Sequence, residues 1–145
     1  MNRKQTQLEV CKALLDKSKT CRGHKINEKE IAVTVDGFTA YVFDITECVF
    51  DTTKLLSMPN IKDFLSENAK DIEITKSKKL FESNGRIIEK YIGEGIELYA
   101  FADNTKHFKG LHLFANSPLS RVIARDDFGS AIGLFLPVRY AEKTN

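Results

Sequence analysis

Residues 30–45, EIAVTVDGFTAYVFDI, decide the fold class. Two runs rich in β-branched and aromatic residues flank Asp36-Gly37, the strongest short-range hairpin signal a sequence carries. A two-residue turn at that dipeptide sets Ile31, Val33 and Val35 opposite Val42, Ala40 and Phe38, with Tyr41, Phe43 and Ile45 on the other face. A turn of that kind, type I′, needs positive φ at both central residues, which Asp and Gly tolerate better than most. Both faces are largely apolar, so the hairpin is expected inside a larger sheet, not at its edge.

Upstream, residues 4–18 have the period of a helix. Leu8, Cys11, Leu14 and Leu15 cover one side of the wheel, Val10 lies at the margin, and Glu9, Lys12 and Asp16 occupy the opposite side. Residues 18–29 are polar, contain Gly23, and form a connection. Downstream, a short strand is expected at residues 48–50, then a helical turn capped by Asp51 or Thr52. A second helix starts at Asn60 as N-cap, with Asp63 in its first turn and Ile61, Phe64 and Leu65 at helical spacing, and ends near Asn68.

The pattern then changes to period two. Strands are expected at residues 71–75, 79–83 and 86–91, the last two joined by a second strong hairpin signal, Asn84-Gly85. Further strands follow at 96–102, 111–115, 119–125 and 131–138. Pro137 cannot donate to a ladder, so the last strand is an edge strand or ends there. Residues 141–145 are expected to fray. The fold predicted is α+β: one domain over residues 1–145, with a mostly antiparallel sheet of about seven to nine strands and two helical segments packed on one face.

A chain of 145 residues, 42% hydrophobic and 29% charged, has the composition of an ordinary globular domain. The net charge of +2 is distributed unevenly: residues 1–30 hold eight Lys/Arg against four acids, and residues 31–70 hold three against six. No secretory signal opens the chain, and no apolar run approaches the ~20 residues that span a bilayer. Three cysteines, Cys11, Cys21 and Cys48, form no disulfide framework and fit a reducing compartment. From these features a cytoplasmic protein, away from membranes, is expected.

No motif announces catalysis. Cys21-Arg22-Gly23-His24 has the spacing of two metal ligands, and His107 and His112 are candidates to complete a set, but zinc sites usually carry two tight pairs. Cys21, beside Arg22 and His24, is the one thiol in an electropositive setting. Asp126-Asp127 reads as turn chemistry before Gly129, and Gly93-Glu94-Gly95 as a turn without the form of a phosphate loop. For nucleic acid, Lys12, Lys17, Lys19, Arg22 and Lys25 cluster in sequence near the first helix, with Lys76, Lys78 and Lys79 in a later turn. Clustered cations are the footprint of phosphate contact.

The order of elements resembles a domain of the bacterial DNA sliding clamp, the β subunit of DNA polymerase III. The resemblance is carried by the helix at residues 5–17, the turn Thr34-Val35-Asp36-Gly37-Phe38, the strand-then-helix segment 49–64 and the strands of 71–91. The tail contributes Asn116-Ser117-Pro118-Leu119 and the run Leu136-Pro137-Val138-Arg139. A clamp chain holds three such domains, and this one has room for one. The resemblance implies that helix cations such as Lys12, Lys17 and Lys19 face DNA.

The leading expectation is a non-enzymatic binding or accessory module without a cofactor, engaging nucleic acid or a DNA-processing protein, with a clamp-like form as one variant of it. One alternative is a protein-directed regulator or inhibitor encoded by a mobile element, using an apolar strand surface such as Leu111-His112-Leu113-Phe114. The other is a small enzyme or metal-binding protein built on Cys21, His24 and His107.

Overall fold

A computed structural model describes residues 3–58 and 61–142. Helix α1 (Arg3–Leu15) leads into β1 (Arg22–Lys25), β2 (Glu30–Thr34) and β3 (Thr39–Asp44), then the two-residue strand β4 (Leu56–Ser57) and the short helix α2 (Ile61–Leu65). The second half holds β5 (Ile72–Ser83), β6 (Arg86–Gly93), β7 (Ile96–Phe101) and the one-turn helix α3 (Ala102–Thr105). Strands β8 (His112–Ala115), β9 (Val122–Arg125) and β10 (Ala131–Phe135) complete it. Asn60, the expected N-cap, and residues 143–145 of the tail lie outside the described residues.

The architecture is α+β, with one sheet of ten strands in the order β4-β1-β2-β3-β10-β9-β8-β5-β6-β7. Every neighbouring pair is antiparallel except β1 with β4. The count exceeds the expected seven to nine partly because the polar connection after α1 contains β1. Its backbone pairs with β2 from Arg22↔Thr34 to Lys25↔Ile31 without needing an apolar face. Residues 48–50 are not a strand. The Asp44 carboxylate accepts from Thr46 N–H and caps a 3-10 turn at Ile45–Glu47, which diverts the chain and delivers Phe50 against Phe43 at 5.5 Å.

The opening hairpin is buried on both faces and internal to the sheet, but its register is one residue away from the expected one. Ile31 pairs with Phe43, Ala32 with Val42 and Val33 with Tyr41. Gly37 takes positive φ (79°) and Asp36 does not, so no type I′ turn forms. Instead Asp36 Oδ1 accepts from Phe38 N–H (2.8 Å) and Thr39 N–H (2.9 Å), and Thr34 Oγ1 accepts from Gly37 N–H (2.9 Å). These side-chain bonds spread the loop over residues 35–38. Because side chains alternate with period two, the slip exchanges partners across the sheet. Ile31, Val33, Tyr41 and Phe43 now share one face, and Ala32, Ala40 and Val42 the other.

The two long-expected helices consequently cover opposite faces, not one. Val10 of α1 packs with Ile31, Val33, Tyr41 and Phe43, whereas Ile61 and Leu65 of α2 pack with Ala32, Ala40, Val42 and Leu134. An apolar surface on each side of the hairpin requires a cover on each side. The buried stripe of α1 also differs from the wheel: it is Thr6, Val10 and Ala13, while Leu8 and Leu15 are 51% and 86% exposed. Polar ties set this rotation. Gln7 Nε2 donates to Glu47 O (2.9 Å) and Gln7 Oε1 accepts from Val49 N–H (2.7 Å).

The expected strands 79–83 and 71–75 are one strand, β5, broken only by a bulge between Lys76 and Leu80. Bulges bend a strand and increase its twist. Here the bend carries β5 from β8 on one side to β6 on the other. Asn84 (φ 53°) and Gly85 (φ 79°) make the expected tight turn, with Ser83 opposite Arg86. Beyond β10, Val138 N–H donates to Tyr99 O (2.8 Å), an antiparallel bridge to the far edge of the sheet. Strands β10-β9-β8-β5-β6-β7 therefore curl back on themselves. Tyr91 of β6 and Phe135 of β10 meet across the interior with ring centroids 6.1 Å apart, beside Phe108, Leu98 and Val122. From the tail, Glu142 Oε1 accepts from Lys90 Nζ at 3.0 Å.

Candidate functional site

Five separate pieces of the chain bring cations to one recess. Helix α1 supplies Lys12, the connection after it supplies Lys19, and β1 supplies Arg22; the start of β6 adds Arg86 and the turn after α3 adds Lys106. The recess has a volume of about 710 Å³, with the 35–37 turn on one wall and Asp103 and Asn104 on another. Ser18, Thr20, Thr34 and Thr39 add hydroxyl groups.

Five cations meet three carboxylates here, and each carboxylate is engaged within the fold. Asp36 holds the hairpin loop. Asp103 lies 3.5 Å from Arg86, whose guanidinium also stacks over the Phe101 ring at 3.6 Å. Glu9 is gripped by two hydrogen bonds and an ion pair: His107 Nε2 lies 2.7 Å from Oε1, Tyr41 OH donates to Oε2 at 3.2 Å, and Lys106 Nζ stands 3.7 Å from Oε1. A carboxylate only accepts, so His107 carries its proton on Nε2. Tyr41 and His107 are buried beneath the recess, ring edge to ring face at 5.8 Å. Burial, with help from nearby Glu9, pushes the Tyr41 phenol far above its ordinary value, so it stays a neutral donor.

Arg22 spends one N–H on Ser57 O (3.1 Å) and keeps the rest. The ammonium groups of Lys12 and Lys19 make no ion pair or hydrogen bond among the described residues. The recess thus has a positive surplus of five cations over three lining carboxylates, with Asp16 a charged neighbour of Lys19, in a concave setting that focuses its field.

Of the residues singled out in sequence, Lys12, Lys19 and Arg22 converge, while Lys17 and Lys25 are exposed but do not line the recess. Arg86 and Lys106 escaped the sequence reading because they lie more than sixty residues downstream of the first helix and its cations. Lys76 and its neighbours sit on the β5 bulge, not in a turn. Lys76 Nζ is 2.6 Å from Oε2 of the buried Glu89. Tyr91 OH and Thr105 Oγ1 donate to the other oxygen of that carboxylate. Burial pushes the Glu89 carboxyl upward, but the bonds from Lys76, Thr105 and Tyr91 outweigh it and leave it below its ordinary range.

The Cys21, His24, His107 set does not assemble. His107 is committed to Glu9, His24 is paired backbone to backbone opposite Ala32, and Cys21 is buried with its thiol pushed up, chiefly by desolvation. A raised thiol is protonated and a poor nucleophile or ligand. No group of three or more His, Cys, Asp or Glu suited to a metal occurs among the described residues. His112 is instead held between Glu73 (3.0 Å) and Asp127 (2.8 Å), which raise its basicity. Asp126 performs the expected turn role, accepting from Phe128 and Ser130 N–H. The Leu111–Phe114 surface is an interior strand: β8 lies between β9 and β5, with Leu113 buried.

No family model, curated protein or solved structure matches the chain. Among the described residues no helix is long and apolar enough to cross a membrane.

Proposed function

We propose that this chain is a non-enzymatic binding module that engages nucleic acid, alone or together with a protein that processes it. The observation that carries the reading is the meeting of Lys12, Lys19 and Arg22, from three different segments, in one recess whose carboxylates are already engaged. Exposed Lys and Arg side chains displace the counterions condensed on nucleic-acid phosphates, which drives binding. The clamp resemblance points the same way, since it directs the cations of the first helix toward DNA.

Fluorescence anisotropy with an internally labelled 20-nucleotide single strand and its duplex, from about 50 to 300 mM salt, tests the reading. Log affinity should fall linearly with log salt, by about 0.7 per phosphate for a single strand and about 0.9 for a duplex. The double variant K12E/K19E should lose at least ten-fold. Absence of binding to either form at about 50 mM salt overturns the reading. For the clamp-like form, a strictly monomeric mass in solution, with and without DNA, overturns a ring.

One observation favours a protein partner. Phe38, Met58, Ile61, Phe64 and Leu136 line an apolar groove of about 300 Å³ between the hairpin loop and α2, with Phe38 57% and Phe64 48% exposed. Retention of a defined protein after nuclease treatment, abolished by F38S/F64S, supports that reading, and loss of all retention with nuclease removes it.

A further inference from the structure

The recess also constrains which part of a nucleic acid it receives. We infer that it takes the phosphate-bearing end of a single strand, not the flank of a duplex; this rests on the nucleic-acid reading above.

A duplex offers one charge per ~1.7 Å of axis along a stiff rod, and a protein that reads its flank spreads cations in a stripe. At this site the cations of five segments converge on one recess instead. Lys17 and Lys25, the cations that would extend it, do not line the recess, and the surplus is concentrated at Lys12, Lys19 and Arg22. The volume of about 710 Å³ falls within the range of pockets that enclose small ligands, roughly 300–1,000 Å³. The recess is lined by Val35, Asp36 and Gly37 of the hairpin loop and by Asp103 and Asn104 of α3, which gather its cations into one concavity.

A terminal phosphomonoester suits the donors better than an internal diester. It carries nearly two charges at neutral pH and three acceptor oxygens, against one charge and two free oxygens for the diester. Lys12, Lys19 and Arg22 supply three separate cationic donors. The recess also lacks the aromatic platform that sequence-tolerant single-strand binders use to stack bases. Its aromatic residue, Tyr41, is 3% exposed and hydrogen-bonded to Glu9. Recognition there is of phosphate, without preference among bases.

Competition against a labelled oligothymidylate of about ten nucleotides tests the inference on the full chain. Unlabelled oligonucleotides carrying a 5′-phosphate, a 3′-phosphate or neither are compared with a circular single strand, thymidine monophosphate and inorganic phosphate. One of the end-phosphorylated strands should compete at least ten-fold better than the unphosphorylated and circular ones. K12E/K19E should erase that difference, with a circular-dichroism spectrum and melting curve like the parent. The oligonucleotide should outcompete thymidine monophosphate and inorganic phosphate, since the next diester adds a contact. Equal competition by circular and end-phosphorylated strands overturns end recognition while leaving nucleic-acid binding intact. Equal competition by inorganic phosphate makes the recess a small-anion site and overturns the strand. Failure of every oligonucleotide to bind removes both readings.

Discussion

His107 Nε2 lies 2.7 Å from Glu9 Oε1, joining residues 98 positions apart and fastening α1 over the sheet at the edge of the cationic recess. The helix has only Thr6, Val10 and Ala13 fully buried, so this polar clasp is a large part of its attachment. Glu9→Ala leaves the buried His107 and Tyr41 donors without their acceptor and should destabilise the protein by about 1–3 kcal/mol. Glu9→Gln, which keeps an acceptor oxygen, should cost less. Urea titration gives the energies, and hydrogen exchange should show α1 amides opening ahead of those of β2 and β3 in the Ala variant. Uniform exchange across α1 and the hairpin would contradict the clasp.

Arg121 is buried and forks onto Asp71 through two bonds, of 3.0 and 3.1 Å, while Nε donates to Phe64 O and a terminal nitrogen to Ser66 O. One side chain thereby caps the end of α2 and pins it to the sheet. Burial raises the Asp71 carboxyl, but bonds from Arg121, Asn68 and Asn116 outweigh it and the net shift is downward. Arg121→Ala should cost about 3–5 kcal/mol, because it abandons a buried carboxylate. Arg121→Lys should restore little, since an ammonium cannot reproduce the planar fork. Midpoint shifts in urea at constant slope are the readout.

Glu89 gives the protein an acid-sensitive point. Its carboxyl is held below the ordinary value in the folded state, so its contribution is complete above the unfolded-state pKa of about 4.5 and is lost as pH falls through the folded value. Stability of the parent should drop on acidification below about pH 4.5, and Glu89→Gln should flatten that part of the profile. An identical pH dependence in parent and variant would rule the Glu89 linkage out.

Gly133 marks where β10 crosses the core. A Cβ there would stand 2.5 Å from Ala40 O and 2.6 Å from Phe108 Cε1, and the first of these is backbone. Gly133→Ala should destabilise by about 1–3 kcal/mol through overpacking. A double variant that also carries Phe108→Leu should recover part of the loss. Thermal melts of the single and double variants decide this.

The Asn84-Gly85 turn was legible because its signal is local: two residues that tolerate positive φ sit between two β-rich runs. Asp36-Gly37 carries the same signal, yet its register was not legible. Asp36 bonded to the amides of Phe38 and Thr39 in preference to adopting positive φ, and the one-residue slip followed. The stripe of α1 misled for a related reason. Its rotation is fixed by Gln7 and Glu9 reaching residues 40 and 98 positions away, which a helical wheel does not register.

By itself, the sequence determined that the chain is α+β with a largely antiparallel sheet, that residues 30–45 lie in its interior, and that cations gather near the first helix. Those properties follow from local propensity, period and composition. Tertiary structure alone decided that the helices take opposite faces, that Val138 returns to Tyr99 and curls six strands together, and that Arg86 and Lys106 join Lys12, Lys19 and Arg22. Each of these depends on contacts between residues far apart in the chain, whose register is fixed only when the whole sheet has formed.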